Sequence, residues 1–133
     1  MKTNRLLLRW PDRRASPNIH SNRRDKTSAR NINRAIALEA LSNNQNFALP
    51  DGTLSLLVVF FPPDKRRRDD DNHLIMLKAI RDKIFERCGR DDSSIRQTIV
   101  EWGQIEKGGA VGLEFVPFEN HEKPAAEDWL NGE

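Results

Sequence analysis

The sequence carries a single cysteine, Cys88, and no Cys or His stands near it at zinc-ligand spacing. An internal disulfide and a structural zinc site are thereby excluded, and a reducing compartment suits the chain. No apolar run approaches the length of a membrane span, and Met1–Trp10 lacks a charged leader followed by an apolar stretch. A cytoplasmic protein without membrane partners is the expectation. Internal repeats are missing too. Net charge is scarce, at +2 from 22 basic and 20 acidic residues, which taken alone argues against a nucleic-acid partner.

The distribution of that charge says something else. Residues 1–50 hold ten Lys/Arg against three Asp/Glu, a net of +7, and residues 51–133 hold twelve against seventeen, a net of −5. Such asymmetry can set a cationic surface beside an anionic pocket, as is needed to hold phosphates next to a metal-binding carboxylate cluster. A solvated basic face with an acidic tail would give the same counts. With 133 residues, 37% hydrophobic and 32% charged, the chain has material for one modest core and hence one domain. Residues 1–118 are expected to form it, with residues 119–133 as an acidic tail.

Patterning assigns the elements. Leu6-Leu7-Leu8 with Trp10 reads as a first strand, and Pro11 to Lys26 as an Arg-rich surface loop containing Ser16-Pro17-Asn18. From about Thr27 to Leu41, Ala29, Ile32, Ala35, Ile36 and Ala40 recur at helical spacing, with Thr27 or Ser28 available as N-cap. Leu54 to Phe61 is a continuous β-prone run ended by Pro62-Pro63 and reads as a central strand buried on both faces. A second helix runs from about Asn72, with Asn72 or Asp71 as N-cap. Its stripe is Leu74, Leu77, Ile80, Ile84 and Cys88, and Gly89 ends it. Ser94–Ile105 and Gly112–Phe118 read as two further strands paired as a hairpin. The fold expected is a single-domain α/β (α+β) protein in which a small mixed four-stranded sheet carries two main helices on one face.

Asp69, Asp70 and Asp71 stand between the buried strand and the second helix, so their side chains emerge at one edge of the domain. Crowded carboxylates repel, and a hard cation with oxygen ligands relieves the repulsion. Asp91 and Asp92 form a second acidic pair after Gly89. A straight helix between the two groups, about seventeen residues or roughly 25 Å, would hold them apart unless the next strand returned along the sheet. Lys65, Arg66, Arg67 and Arg68 lead into the acids and supply phosphate-neutralising charge. Arg23, Arg24, Lys26, Arg30 and Arg34 are further candidates for DNA contact. In the bland reading these charges offset one another in solvent, His73 is an exposed or capping residue, and Trp10 and Trp102 are core or contact residues.

The string Arg67-Arg68-Asp69-Asp70-Asp71-Asn72, after a strand ending in Pro-Pro and before a helix, resembles the R-R-D-x-D-N signature of the RusA-like Holliday-junction resolvases. Lys78 and Asp82 stand four apart as in that family's helical K-x-x-x-D, and Asp91-Asp92 with Ser93 and Ile95 resembles its D-D-x-x-[IF]. Between Asn72 and Lys78 the chain is longer than the shortest family spacing by about one helical turn. The resemblance implies catalytic, metal-binding Asp69, Asp71 and Asp92, a catalytic Lys78, a Mg²⁺ cofactor with Mn²⁺ as substitute, and a homodimer. That dimer would nick a four-way DNA junction at two symmetric positions in recombination and repair. Two rivals share these residues: a DNA-binding module of phage origin with weak or no turnover, and a metal-dependent nuclease for flaps or single strands.

Overall fold

A computed structural model of the protein describes residues 2–17 and 19–119; Asn18, His121, Trp129, Leu130 and the acidic stretch from 120 onward lie outside the described residues. In chain order the elements are β1 (Arg5–Arg9), α1 (Arg23–Asn43), β2 (Leu54–Phe61), α2 (Asp70–Met76), α3 (Lys78–Arg87), β3 (Ile95–Trp102) and β4 (Ala110–Pro117), with 3-10 turns at Arg13–Ala15 and Asp92–Ser94. The sheet is mixed, in the order β1-β4-β2-β3, an α+β fold as expected. β4 lies antiparallel to both β1 and β2, whereas β2 and β3 are parallel.

The expected hairpin of the last two strands is therefore not formed. β2 is the most apolar segment and takes an interior place, with β3 on one side and β4 on the other. The parallel pair needs a crossover, which α2 and α3 provide. The chain after β3 then bridges the end of β2, where the amides of Gly103 and Glu106 donate to the carbonyls of Phe60 and Pro62 at 2.8 and 2.9 Å. A Cβ on Gly103 would stand 2.6 Å from the Phe61 ring, so the crossing depends on glycine there.

The core lies between the sheet and the helices. Leu6 and Leu8 of β1, Leu54, Leu56, Val58 and Phe60 of β2, and Val111, Leu113 and Phe115 of β4 meet Ile36, Ala37 and Ala40 of α1 and Ile80, Ile84 and Phe85 of α3. No helix among the described residues covers the sheet's other face. Leu57, Val59 and Phe61 are half-buried there and Leu7 is 67% exposed, which corrects the expectation that β2 is buried on both faces.

Two helix boundaries also differ from the sequence reading. α1 begins at Arg23, because Asn22, rather than Thr27 or Ser28, caps it by accepting from the Asp25 amide at 2.8 Å. The second helix begins at Asp70 and is capped by Asp69, rather than Asn72 or Asp71, and it breaks at Leu77. There the Leu77 amide bonds the Leu74 carbonyl three residues back, a tightened turn that separates α2 from α3. The break keeps Leu77, Ile80 and Ile84 on the core while adding one turn to the crossover. α3 ends as expected at Gly89, whose φ of +67° admits paired bonds from Gly89 to Glu86 and from Arg90 to Phe85.

Candidate active site and nucleic-acid interface

Two connections, β1–α1 and β2–α2, leave the sheet beside each other and enclose a groove of about 880 Å³. The β1–α1 connection is not the free surface loop its composition suggests. Ser16 is buried, and the Lys26 ammonium is spent on the carbonyls of Arg14, Ser16 and Ile19 at 2.5, 2.8 and 3.0 Å. Lys26 thus closes the loop onto α1. Asn33, fully buried on α1, accepts from the Asp12 amide at 2.7 Å and donates to the Met76 carbonyl at 3.4 Å, tying this loop to the end of α2.

The second wall is the basic run. Arg68 donates to Asp64 at 2.8 Å and to the carbonyls of Asp64 and Arg66, and its guanidinium lies 5.7 Å from the centre of the Trp10 ring. Arg66 also pairs with Asp64, whose carboxyl is held far below its ordinary range by Arg66, first through the side chain and then through the amide, with Arg68 adding to it. Arg67 and Lys65 are exposed and make no hydrogen bond or ion pair among the described residues. Arg13, across the groove, is exposed, and its side chain makes no hydrogen bond or ion pair among the described residues. Arg14 is clamped to Asp12 by two side-chain bonds of 3.0 and 2.8 Å, which hold the Asp12 carboxyl below its usual value.

Between the groove residues Arg68 and His73 the chain carries Asp69, Asp70 and Asp71. The Asp69 carboxylate accepts from the Asn72 amide and from its side-chain nitrogen, both at 2.9 Å, and these bonds lower its pKa in that order. Asp70 accepts from the Trp102 indole at 2.5 Å, fastening the head of α2 to the end of β3. Asp71 is exposed and unengaged among the described residues. His73 is neither isolated nor a cap. Its ring lies 5.7 Å from Trp10, 5.6 Å from Phe60 and 5.2 Å from Trp102, and its Nδ1 is 2.7 Å from the Asp69 carbonyl.

Asp92 belongs to another neighbourhood. It opens the 3-10 turn before β3, at the Leu54–Ile95 end of the parallel pair, whereas Asp70 sits at the Trp102 end. β3 needs about 20 Å to cover that run. Asp92 is instead beside Asp82 of α3, and burial followed by the Asp82 side chain pushes its carboxyl pKa up, against the pull of Arg81 at 3.5 Å. Lys78 bonds Asp82 at 3.0 Å and contacts no member of the Asp69–Asp71 group. Arg30 lines the same crevice as Lys78 and Asp82, while Arg34 pairs with Glu86 at 3.3 Å. Arg23 and Arg24 are exposed on the first turn of α1, without a partner among the described residues.

The sequence-selected residues therefore form two sets within one chain. Asp69 and Asp71 lie with the basic run, and Lys78 and Asp92 lie with Asp82. Among the described residues no three His, Cys, Asp or Glu side chains stand close enough together to hold a metal ion. Sequence reasoning weighed Trp10 as a core or dimer-contact residue against stacking on a base and passed over Arg13 and Arg14, although an arginine pair close after Trp10-Pro11 is a visible basic-aromatic signal. It also read Asp82 only as a partner of Lys78, and nothing local in sequence announces its approach to Asp92. Comparison with protein-family models gives no match, and comparison with curated proteins gives none.

Proposed function

We propose that the chain is a divalent-metal-dependent endonuclease for branched DNA, working as a homodimer that nicks a four-way junction at two symmetric positions. The observation that carries this reading is the placement of Asp69–Asp71 in the chain between Arg68 and His73, two residues of an arginine-lined groove. Phosphate-binding guanidiniums and hard oxygen donors then lie on one connection. Phosphodiester hydrolysis needs that pairing.

Carboxylates suit Mg²⁺ or Mn²⁺ in kind. Their location suits a site shared between two chains, since Asp69 and Asp71 stand at one end of the β2–β3 pair and Asp92 at the other. In a two-fold dimer the Asp69–Asp71 end of one chain can face the Asp92 end of its partner, giving two equivalent sites. The sheet face opposite the core, with exposed Leu7 and a cleft of about 490 Å³ over Leu57, Val59 and Phe61, offers an apolar surface for such pairing. Bound there, a divalent ion would activate water and stabilise charge on the phosphate oxygens. The protein's own groups have separate tasks. Asn72 holds the Asp69 carboxylate in its ionised form, the Asp70–Trp102 bond fixes the head of α2, and Lys78 supplies positive charge beside Asp92. Arg66 and Arg67 meet the DNA backbone.

Incubation with a mobile four-way junction and with a matched duplex, in Mg²⁺ or in EDTA, tests the reading. Paired nicks confined to the junction in Mg²⁺ are expected. Binding without cleavage would favour the non-catalytic DNA-binding module, and equal cutting of flaps would reassign the substrate.

A further inference from the structure

The groove has a composition that a double helix would not use. Its lining includes the apolar groups Trp10, Pro11, Pro63 and Met76, and the two connections that wall it each carry one exposed arginine whose side chain makes no hydrogen bond or ion pair among the described residues, Arg13 and Arg67. In a duplex the bases face inward and the backbone offers only phosphates and sugars to a protein, so the apolar lining would have nothing to cover. An unpaired strand presents both phosphates and base faces. A cationic cleft with an aromatic floor is the general solution for holding one.

Trp10 is also held in place by its neighbours. The Trp10 ring is backed by Gly109, where a Cβ would come within 2.9 Å of the indole, and it lies edge-on to Phe60 at 5.9 Å. The remaining charges are already committed. Asp12 is held chiefly by Arg14, with Arg13 acting on it only through the longer-range charge, and Arg68 is held by Asp64.

From this we infer that the groove between the β1–α1 and β2–α2 connections binds unpaired nucleotides, with Arg13 and Arg67 on successive phosphates and a base in the apolar lining that includes Trp10 and Pro63. This rests on the nuclease reading only in taking the polymer to be DNA. At a branch point it gives the protein a means of holding a strand opened from its partner, next to the carboxylates of α2.

The test is binding in EDTA, which does not depend on the metal site. A fluorescein-labelled oligothymidylate and a duplex of equal length are titrated with the intact protein, with Arg13→Ala/Arg67→Ala, and with Arg87→Ala as a control that removes an exposed cation elsewhere. Tighter binding of the single strand is expected, weakened at least tenfold in the double variant and unchanged in the control. The slope of log affinity against log salt should fall by about 1.4, from two single-strand phosphates lost. Quenching of tryptophan fluorescence by the oligonucleotide should drop in Trp10→Phe. Duplex bound as tightly as single strand, or a double variant indistinguishable from the control, would overturn the inference. Single-strand binding that survives in a protein that cuts nothing would refute the nuclease reading alone.

Discussion

The Asp12 amide donates to the side-chain oxygen of Asn33 at 2.7 Å, joining the groove's N-terminal wall to a fully buried side chain on α1. Asn33→Leu leaves that amide, and the Met76 carbonyl on the other side, without their partner. A buried donor so orphaned costs about 1–3 kcal/mol. Urea denaturation should show a loss of that size, and wild-type stability would mean that the bond contributes nothing.

The carboxylate of Asp12 gives a pH signature. Its pKa lies below the ordinary carboxylate value, first through the Arg14 side-chain bond, so its ionised form is favoured by folding. The stability it contributes is present above that ordinary value and is lost as pH falls through the lower folded pKa. Asp12→Asn should therefore cost about 1 kcal/mol at pH 7, a figure that allows for the part-exposed Arg14, and progressively less as pH falls through the folded pKa. Thermal melts of both proteins across an acid pH series check this, and a deficit that does not shrink as pH falls would contradict it.

Gly109 combines a φ of +75° with a virtual Cβ 2.9 Å from Trp10. Gly109→Ala should cost about 2 kcal/mol, part from the left-handed backbone and part from displacement of the indole. Near-UV circular dichroism should change with it. An unaltered tryptophan signal would show that Trp10 is not held by this contact.

Lys78→Ala separates two roles for that lysine. Its exposed pair with Asp82 is worth at most about 0.5 kcal/mol, so stability should barely move. Single-turnover nicking should fall at least tenfold, about 1.4 kcal/mol of barrier, with junction binding intact. A near-wild-type rate would remove Lys78 from catalysis.

Much of the fold was legible because its signals are local. The Leu54–Phe61 run matches β2 end to end, and Gly89 stops α3 where expected. What escaped was set by tertiary geometry. Asn22, seven residues before the apolar stripe begins at Ala29, caps α1, and the partner of β3 was decided by the crossover rather than by the short Gly-containing connection to β4. The site divides the same way. The Asp69–Asp71 run beside the arginines could be read from sequence, but the separation of Asp92 follows from the parallel register and its contact with Asp82 from the path of α3.

The most direct measurement is a mixing experiment on junction cleavage. Asp71→Asn and Asp92→Asn are each assayed in Mg²⁺, then denatured together, refolded as a mixture and assayed again. If Asp71 and Asp92 of different chains share a site, each variant alone is inactive, while a mixed dimer carries one site with both aspartates intact. Half of a random mixture would be such dimers, so about a quarter of wild-type nicking should return. A mixture as inactive as its components would contradict the shared site, and cleavage by either variant alone at the wild-type rate would contradict the assignment of these carboxylates to catalysis.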